Sequence, residues 1–348
     1  MIQTADFNYF LPSDLIAQTP LPQRDQCRLL TLDRFSGALA HHTFGELPNL
    51  LDPGDLLVLN DSRVLPARLF GHKRTGGRVE VLLTRRLQPD SWLALTHPGL
   101  RLHQEVVFAE DVQAVAEATD DAGQRVLRFN QAGADLDEAI HRLGTLPIPP
   151  YITTPLANPS DYQTIYAREE GSVAAPTAGL HFSEALLTRL EERGIDHLFL
   201  TLHVGIGTFR PVKVENVGAH HMHSEWFRLS AASAERINRT RAAGHRIVAV
   251  GTTVVRTLES IVDTQGRVQA SEGETNLFIV PGHVFRCVDA IITNFHLPRS
   301  TLLMLVSAFA GREHVLTAYH EAITQRYRFY SFGDAMLIRS AGSTPRAS

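Results

Sequence analysis

The chain has 348 residues, of which 44% are hydrophobic and 20% are charged, and its formal net charge at pH 7 is −4. These values exclude a disordered chain and argue against a protein that coats nucleic acid over its whole surface. Cys27 and Cys287 make neither a disulfide framework nor a zinc knuckle, which is typical of a reducing compartment. The chain also has no leader peptide pattern and no apolar run of membrane-spanning length, so we expect a cytoplasmic protein without a membrane partner.

The first 150 residues predict a short α/β start followed by a small closed sheet. A helix is predicted at 12–18 and strands at 28–32 and 55–59. Short strands separated by turns then follow, and Thr75-Gly76-Gly77 is typical of a hairpin turn. These strands are predicted at 67–73, 78–83, 91–96, 106–108 and 125–129. Because such spacing without a long helical period favours a barrel, we predict an inserted small β-barrel domain over 62–151 that ends in a proline-rich linker.

From about residue 160 strands and helices alternate, which indicates an α/β layer. Predicted strands at 198–204, 246–250 and 290–294 each end in a loop. In open α/β sheets ligands bind at the carboxyl ends of strands, where helix N-termini offer free N–H groups, so these loops should line one crevice. We therefore predict a discontinuous α/β catalytic domain with a mixed sheet, made of residues 1–61 and 152–348.

Two loops rich in small residues are candidates for ligand binding. Residues 174–182 and Gly251-Thr252-Thr253 allow a close approach of the backbone, although small residues also simply pack tightly in turns. Neither loop completes a Walker or dinucleotide motif, which argues against nucleoside triphosphate and nicotinamide cofactors.

The segment around residues 220–225 permits a metal-site interpretation. In an extended conformation His221, His223 and Glu225 share one face, and imidazole and carboxylate groups bind zinc or iron. The same groups can act in hydrogen bonding or acid–base chemistry without a metal. A metal-dependent hydrolase or lyase is therefore an alternative function.

A basic stretch lies in the predicted barrel. Residues 63–86 contain seven basic residues and one acidic residue, Glu80, in a chain that is acidic overall. Such a stretch can hold an acidic polymer, or it can be a solvated charged face. A non-catalytic RNA-binding module is the corresponding alternative. The basic residues are Arg63, Arg68, Lys73, Arg74, Arg78, Arg85 and Arg86.

Ordered sequence blocks along almost the whole chain carry a resemblance to a known family. They are 54–63 (GDLLVLNDSR), 149–152 (PPYI), 162–166 (YQTIY), 173–182 (VAAPTAGLHF), 201–211 (TLHVGIGTFRP), 222–225 (MHSE), 250–260 (VGTTVVRTLES), 293–305 (TNFHLPRSTLLML), 327–329 (YRF) and 333–336 (GDAM). In these blocks the chain resembles the S-adenosylmethionine:tRNA ribosyltransferase-isomerases of queuosine biosynthesis.

The resemblance implies a transferase-isomerase whose co-substrate, S-adenosylmethionine, donates its ribosyl group. The acceptor is 7-aminomethyl-7-deazaguanine at the wobble position of the tRNAs for Asp, Asn, His and Tyr. The products are epoxyqueuosine-tRNA, adenine and methionine. The resemblance implies no prosthetic group and no metal, and we expect a monomer.

Removal of a proton beside the sulfonium requires a base, and the sequence leaves several candidates unranked. The candidates are Asp61, His181, His203, His223, Glu225 and His296. The expected donor-binding residues are Thr177, Gly179, Gly205, Gly207, Thr208, Arg210, Gly251, Thr252, Thr253, Arg256 and Asn294. For tRNA binding we expect Arg63, Lys73, Arg74, Arg78 and Arg85.

Overall fold

The computed structural model describes residues 2–121, 123–205, 207, 212 and 214–340. They divide into two compact units. The sheet unit comprises the described parts of Met1–Ser62, Pro150–Glu169 and Ala175–Ser348, and the barrel unit comprises those of Arg63–Pro149 and Glu170–Ala174. A helix with the length and apolarity of a membrane span does not occur among these residues.

The secondary structure elements of the described residues are numbered in chain order. The strands are β1 (Arg28–Asp33), β2 (Leu39–Thr43), β3 (Leu56–Asn60), β4 (Ser62–Val64), β5 (Arg68–Lys73), β6 (Arg78–Gln88), β7 (Ser91–His97), β8 (Glu105–Ala109), β9 (Val112–Thr119), β10 (Arg125–Phe129), β11 (Glu169–Ser172), β12 (Asp196–Leu202), β13 (Glu225–Leu229), β14 (Ile247–Val250), β15 (Ser271–Thr275), β16 (Ala290–Asn294) and β17 (Ala335–Arg339). The α-helices are α1 (Leu47–Leu50), α2 (Gly133–Leu143), α3 (Glu184–Glu192), α4 (Ala231–Ala242), α5 (Thr252–Ile261), α6 (Thr301–Ala310) and α7 (Arg312–Thr324).

The sheet unit is built on one mixed sheet with the strand order β15-β13-β12-β3-β14-β16-β17-β1-β2. Strand β3 pairs in parallel with β12 and β14, and β14 pairs in parallel with β16, so these four strands point in the same direction. Every residue of β3, β14 and β16 is buried, as expected for central strands covered on both faces. The arrangement confirms the predicted mixed α/β sheet and brings the carboxyl ends of these strands to one edge.

Local sequence signals set the ends of several helices. Ser183 caps α3 by accepting a hydrogen bond from the Leu186 N–H at 3.1 Å, and Gly194 follows with a positive φ of 73°. The apolar run 302–309 lies within the buried helix α6. The predicted helix at 12–18 is wrong, because only Ser13–Leu15 forms a 3-10 turn before Ile16 pairs with Phe329 in a parallel bridge.

The barrel unit contains the predicted barrel, closed in the order β10-β7-β6-β5-β8-β9. At the Thr75-Gly76-Gly77 turn the Gly76 N–H donates to the Lys73 carbonyl at 2.8 Å, and Gly76 has a φ of 87° that favours glycine. Two elements of the barrel unit were not predicted from the sequence. They are β9, which is rich in alanine, and α2, whose residues Leu136, Ala139 and Ile140 pack into the barrel core.

Two parts of the predicted domain ranges group differently. Ser62, Pro150 and Tyr151, which were predicted at the ends of the barrel domain, belong to the sheet unit. Residues 170–174 were placed in the α/β domain from sequence, whereas they belong to the barrel unit. Strands β4 and β11 form a two-stranded sheet, and the Leu65 N–H donates to the Ser172 carbonyl at 2.9 Å. Strand pairing across more than 100 residues of sequence therefore decides this grouping.

Candidate active site

A cleft of the sheet unit opens where β14 and β16 end. It is formed by the loop after β14, the loop after β16 and the small-residue loop that begins at Ala175, and Val204, which follows β12, also lines it. The carboxyl ends of all three predicted strands therefore contribute to one crevice. The side chains named among its lining residues include no Asp, Glu, Lys or Arg. The lining residues are Tyr151, Ala175, Pro176, Thr177, Ala178, Val204, Gly251, Thr252, Thr253, Thr293, Asn294, Phe295, His296, Leu297, Ser300, Leu302, Tyr330 and Ser331.

Two helix N-termini meet at this cleft. Gly251 adopts a φ of 94° and turns the chain from β14 into α5, so the first N–H groups of α5 lie beside the lining residues Thr252 and Thr253. Ser300 caps α6 by accepting from the Leu303 N–H at 3.2 Å. Helix N-termini carry partial positive charge and free N–H donors, so an anionic group is favoured here.

Thr253 carries a hydroxyl group without a partner. The residue is 8% exposed, and its Oγ1 is buried with no hydrogen bond to any described residue. A buried hydroxyl that lacks a partner costs free energy, so such a group in a cleft is suited to bind a ligand.

His296 is the one member of the six base candidates that lines the cleft. Its Nε2 lies 2.9 Å from Thr293 Oγ1, and its backbone N–H donates to the Tyr319 hydroxyl at 2.9 Å. The Tyr9 hydroxyl donates to the His296 carbonyl. Burial lowers the pKa of His296 to about 3, so its imidazole is neutral at physiological pH.

His181 lies behind the cleft in a buried hydrogen-bond chain. Its Nε2 is 3.0 Å from Asn294 Nδ2, and its Nδ1 is 3.2 Å from Cys27 Sγ. Asn294 Nδ2 also donates to the Tyr330 carbonyl at 3.1 Å, and Asn294 Oδ1 accepts from Thr177 Oγ1 at 2.9 Å. The Tyr330 carbonyl thereby fixes the amide orientation and makes Nε2 of His181 the acceptor. Burial, with smaller contributions from Arg24 and Arg328, lowers the pKa of His181 to about 3, so it is neutral and orients Asn294.

Two carboxylates from the candidate list are already occupied by structural partners. Asp61 accepts from Thr201 Oγ1 at 2.8 Å and from Arg168 Nη2 at 2.7 Å. Glu225 accepts from the Gly205 N–H at 2.8 Å and forms a buried ion pair with Arg256. Neither carboxylate lines the cleft, and Arg256, an expected donor-binding residue, is held on the β13 side of α5 by this pair.

The remaining histidine candidates lie elsewhere. His203 stacks on Trp226 with the ring centroids 4.8 Å apart, and burial lowers its pKa to about 4. His221 and His223 are exposed, whereas Glu225 is buried, and residues 220–224 are not in a strand. The predicted shared face of His221, His223 and Glu225 is therefore wrong, and no group of three or more possible metal ligands occurs within the described ranges.

The expected donor-binding residues fall into two groups. Thr177, Gly251, Thr252, Thr253 and Asn294 line the cleft.

The others are outside the lining. A Cβ at Gly179 would lie 2.2 Å from the Tyr166 hydroxyl, so this glycine serves close packing. Gly205 binds Glu225 through its N–H, and Gly207 packs against His223. Thr208 and Arg210 lie outside the described residues.

An aromatic pair that was not predicted from the sequence lies at the cleft. The rings of Tyr151 and Tyr330 are 4.8 Å apart, and the Tyr151 hydroxyl lies 2.6 Å from Ser331 Oγ. Burial raises the pKa of Tyr151 to about 12. Tyr330 has a positive φ of 71°, which is rare for an aromatic residue and has no signature in sequence. Ser300 did carry a signal, because it precedes an apolar run in the manner of an N-cap.

The basic residues of the barrel unit are partly neutralised. Arg63 lies 3.4 Å from Glu170, and Arg74 makes a two-pronged bond with Glu105 at 2.6 and 3.0 Å. Lys73 and Arg78 form no ion pair within the described part of the chain, and Arg78 and Arg85 are exposed. A count of charges in sequence overlooks these acidic partners, which come from other strands.

Comparisons with known proteins agree with the fold. The sequence model of the family described as "Queuosine biosynthesis protein" matches residues 4–338. An S-adenosylmethionine:tRNA ribosyltransferase-isomerase from Moorella thermoacetica is 52% identical, covering 96% of this chain and 98% of the relative. A relative with the same description from Symbiobacterium thermophilum is 52% identical, covering 97% and 100%.

A solved structure is also similar. The crystal structure of S-adenosylmethionine tRNA ribosyltransferase from Thermotoga maritima is 40% identical, covers 96% of this chain and 99% of its own, and superimposes with a TM-score of 0.57. A match of this identity over nearly the whole length shows common descent, and the chain belongs to the queuosine biosynthesis protein family.

Proposed function

We propose that the chain is an S-adenosylmethionine:tRNA ribosyltransferase-isomerase. It transfers and isomerises the ribosyl group of S-adenosylmethionine onto 7-aminomethyl-7-deazaguanine at the tRNA wobble position and releases adenine and methionine. The observation that supports it most directly is full-length similarity to relatives of that description, together with a cleft whose walls suit an uncharged nucleoside and one carboxylate.

The cleft is proposed to hold S-adenosylmethionine. The N-terminus of α5 and the Thr253 hydroxyl receive the methionyl carboxylate, because they offer N–H and O–H donors to an anion. Tyr151 and Tyr330 offer aromatic faces to the adenine ring. Asn294 is held by hydrogen bonds to His181 and Thr177 and thereby maintains the shape of the cleft wall.

His296 is the proposed base. If Nε2 donates to Thr293, Nδ1 has a lone pair that can take the proton from the carbon beside the sulfonium. The donor loses its positive charge as His296 gains one, so the total charge in the cleft is unchanged and no extra ion is buried. Adenine must take up a proton to leave as a neutral base, and the protonated His296 can return it.

The finer assignments belong to the same proposal. The acceptors are the tRNAs for Asp, Asn, His and Tyr, the enzyme acts in the cytoplasm as a monomer, and it needs neither a prosthetic group nor a metal. The basic residues Arg63, Lys73, Arg74, Arg78 and Arg85 of the barrel unit are proposed to bind tRNA phosphates.

The test incubates purified protein with S-adenosylmethionine and tRNA that carries the aminomethyl-deazaguanine base. Adenine and methionine should appear in equal amounts, and tRNA with guanine at the wobble position should release neither. Formation of S-adenosylhomocysteine would identify a methyltransferase and contradict the proposal.

The choice of base is tested by His296→Gln and His203→Gln in parallel. Burial lowers the pKa of both histidines, but of the two only His296 lines the cleft. General bases contribute about 10²- to 10⁴-fold to rate, so His296→Gln should lower single-turnover adenine release by that factor while His203→Gln leaves it within a few fold. An equal loss in both variants would reject His296 as the base.

A further inference from the structure

An exposed aromatic ring lies on the outer face of the barrel hairpin β5–β6. Phe70 is 57% exposed, whereas its neighbours Leu69 and Gly71 are buried, so its side chain points away from the barrel interior. The barrel core contains Leu69 and Val81 but not Phe70. Packing of the barrel therefore gives no reason for an aromatic residue at this position.

Charged side chains surround the ring. Phe70 is opposite Glu80 in the strand register, and the next pair on the same face is His72 with Arg78. Arg68 precedes Phe70 on the same face and forms an ion pair with Glu80 at 3.1 Å. Arg78 is exposed and has no ion pair within the described ranges. An isolated aromatic ring with a cation nearby does not form the contiguous apolar patch that a protein partner requires.

The charges of the barrel unit are segregated. Its sequence contains 11 Arg or Lys and 12 Asp or Glu in all, yet residues 63–86 hold seven of the basic residues and only one acidic residue. The hairpin that presents Phe70 is thus the basic part of a unit that is otherwise acidic. That distribution favours binding of a polyanion at the hairpin. The rest of the unit, which is acidic, would repel an acidic partner protein.

We propose that Phe70 is a stacking platform for an unpaired base of the tRNA substrate, with Arg78 holding an adjacent phosphate. The inference rests on the proposed function for the identity of the nucleic acid. Every base has a π-face, so a ring on the outside of a closed barrel binds single-stranded nucleotides regardless of sequence. A phosphate adjoins each base, which accounts for a cation on the neighbouring strand. The contact positions the tRNA and leaves recognition of the modified base to the cleft.

The experiment measures tRNA affinity for Phe70→Ala, Phe70→Leu and Phe70→Trp. Loss of a stacked base weakens binding by about 5- to 150-fold, so the Ala and Leu variants should both bind that much more weakly. Phe70→Trp should retain the affinity, and its added fluorescence should be quenched when tRNA binds. Phe35→Ala in the sheet unit removes a ring that is 70% exposed and should change nothing.

The salt dependence separates stacking from phosphate binding. Phe70→Ala should keep the parental slope of log affinity against log salt, whereas Arg78→Ala should lower it by about 0.7 to 0.9. Parental tRNA affinity in both Phe70→Ala and Phe70→Leu would overturn the inference. Parental affinity in Phe70→Leu alone would also overturn it, because an apolar contact without ring stacking would then be sufficient for binding. Unmodified tRNA serves as the probe, so failure of adenine release in the parent would refute the proposed function without deciding the Phe70 result.

Discussion

Replacing Thr253 with valine should make the protein more stable and bind its donor less well. Valine keeps the shape and β-branching of threonine but removes the buried Oγ1, which has no partner in the described residues. An unsatisfied buried hydroxyl costs about 1–3 kcal/mol, so the free energy of unfolding without ligand should rise by up to that amount. A hydrogen bond to a charged group contributes about 1.5–3 kcal/mol, so S-adenosylmethionine should bind about 10- to 150-fold more weakly.

Calorimetric titration with S-adenosylmethionine and thermal unfolding without it measure the two effects. Thr253→Ser should restore donor affinity because it restores the hydroxyl. Ser307→Ala is the matched control, since Ser307 Oγ in α6 is also buried without a partner among the described residues but does not line the cleft. If Thr253→Val binds the donor with parental affinity, the carboxylate is not held by this hydroxyl and the donor orientation given above is wrong.

Three further outcomes are expected. His181 and His296 have pKa values near 3 when folded and about 6.5 when unfolded, so the unfolded state binds more protons between these two values. Each residue should therefore lower the free energy of unfolding by about 1.4 kcal/mol per pH unit as the pH falls below 6.5. In His181→Gln the free energy of unfolding should fall less steeply with decreasing pH, and an unchanged slope would contradict buried neutral imidazoles. S-adenosylmethionine and S-adenosylhomocysteine should bind with affinities within about tenfold of each other, because the described lining of the cleft contains no carboxylate to attract the sulfonium. A carboxylate about 4 Å from the sulfonium would add about 4 kcal/mol to the binding of S-adenosylmethionine at an effective dielectric constant near 20. A much larger preference in calorimetric titration would place an acidic group beside the sulfur. Combined replacement of Arg74, Arg78 and Arg85 by alanine should lower the salt slope of tRNA binding by about 2; retention of the parental slope and affinity would place the RNA on another surface.

Short-range patterns in the sequence were sufficient for much of the architecture. The apolar runs ahead of Gly251 and Asn294 act through bonds within a few residues, and the structure confirms the strands that they predict. The parallel strands β14 and β16 then place the Gly251 loop and the His296 loop side by side, as the rule on strand carboxyl ends requires.

Only the tertiary structure separated the six base candidates. Glu225 meets Arg256 across 31 residues of sequence, His181 meets Cys27 across 154, and Asp61 meets Thr201 across 140. Each of these partners is chosen by packing between distant elements, and no local period encodes it. The same reason explains why the basic count of the barrel overlooked Glu105, and why Tyr330, which lines the cleft with a positive φ, had no signal in the sequence.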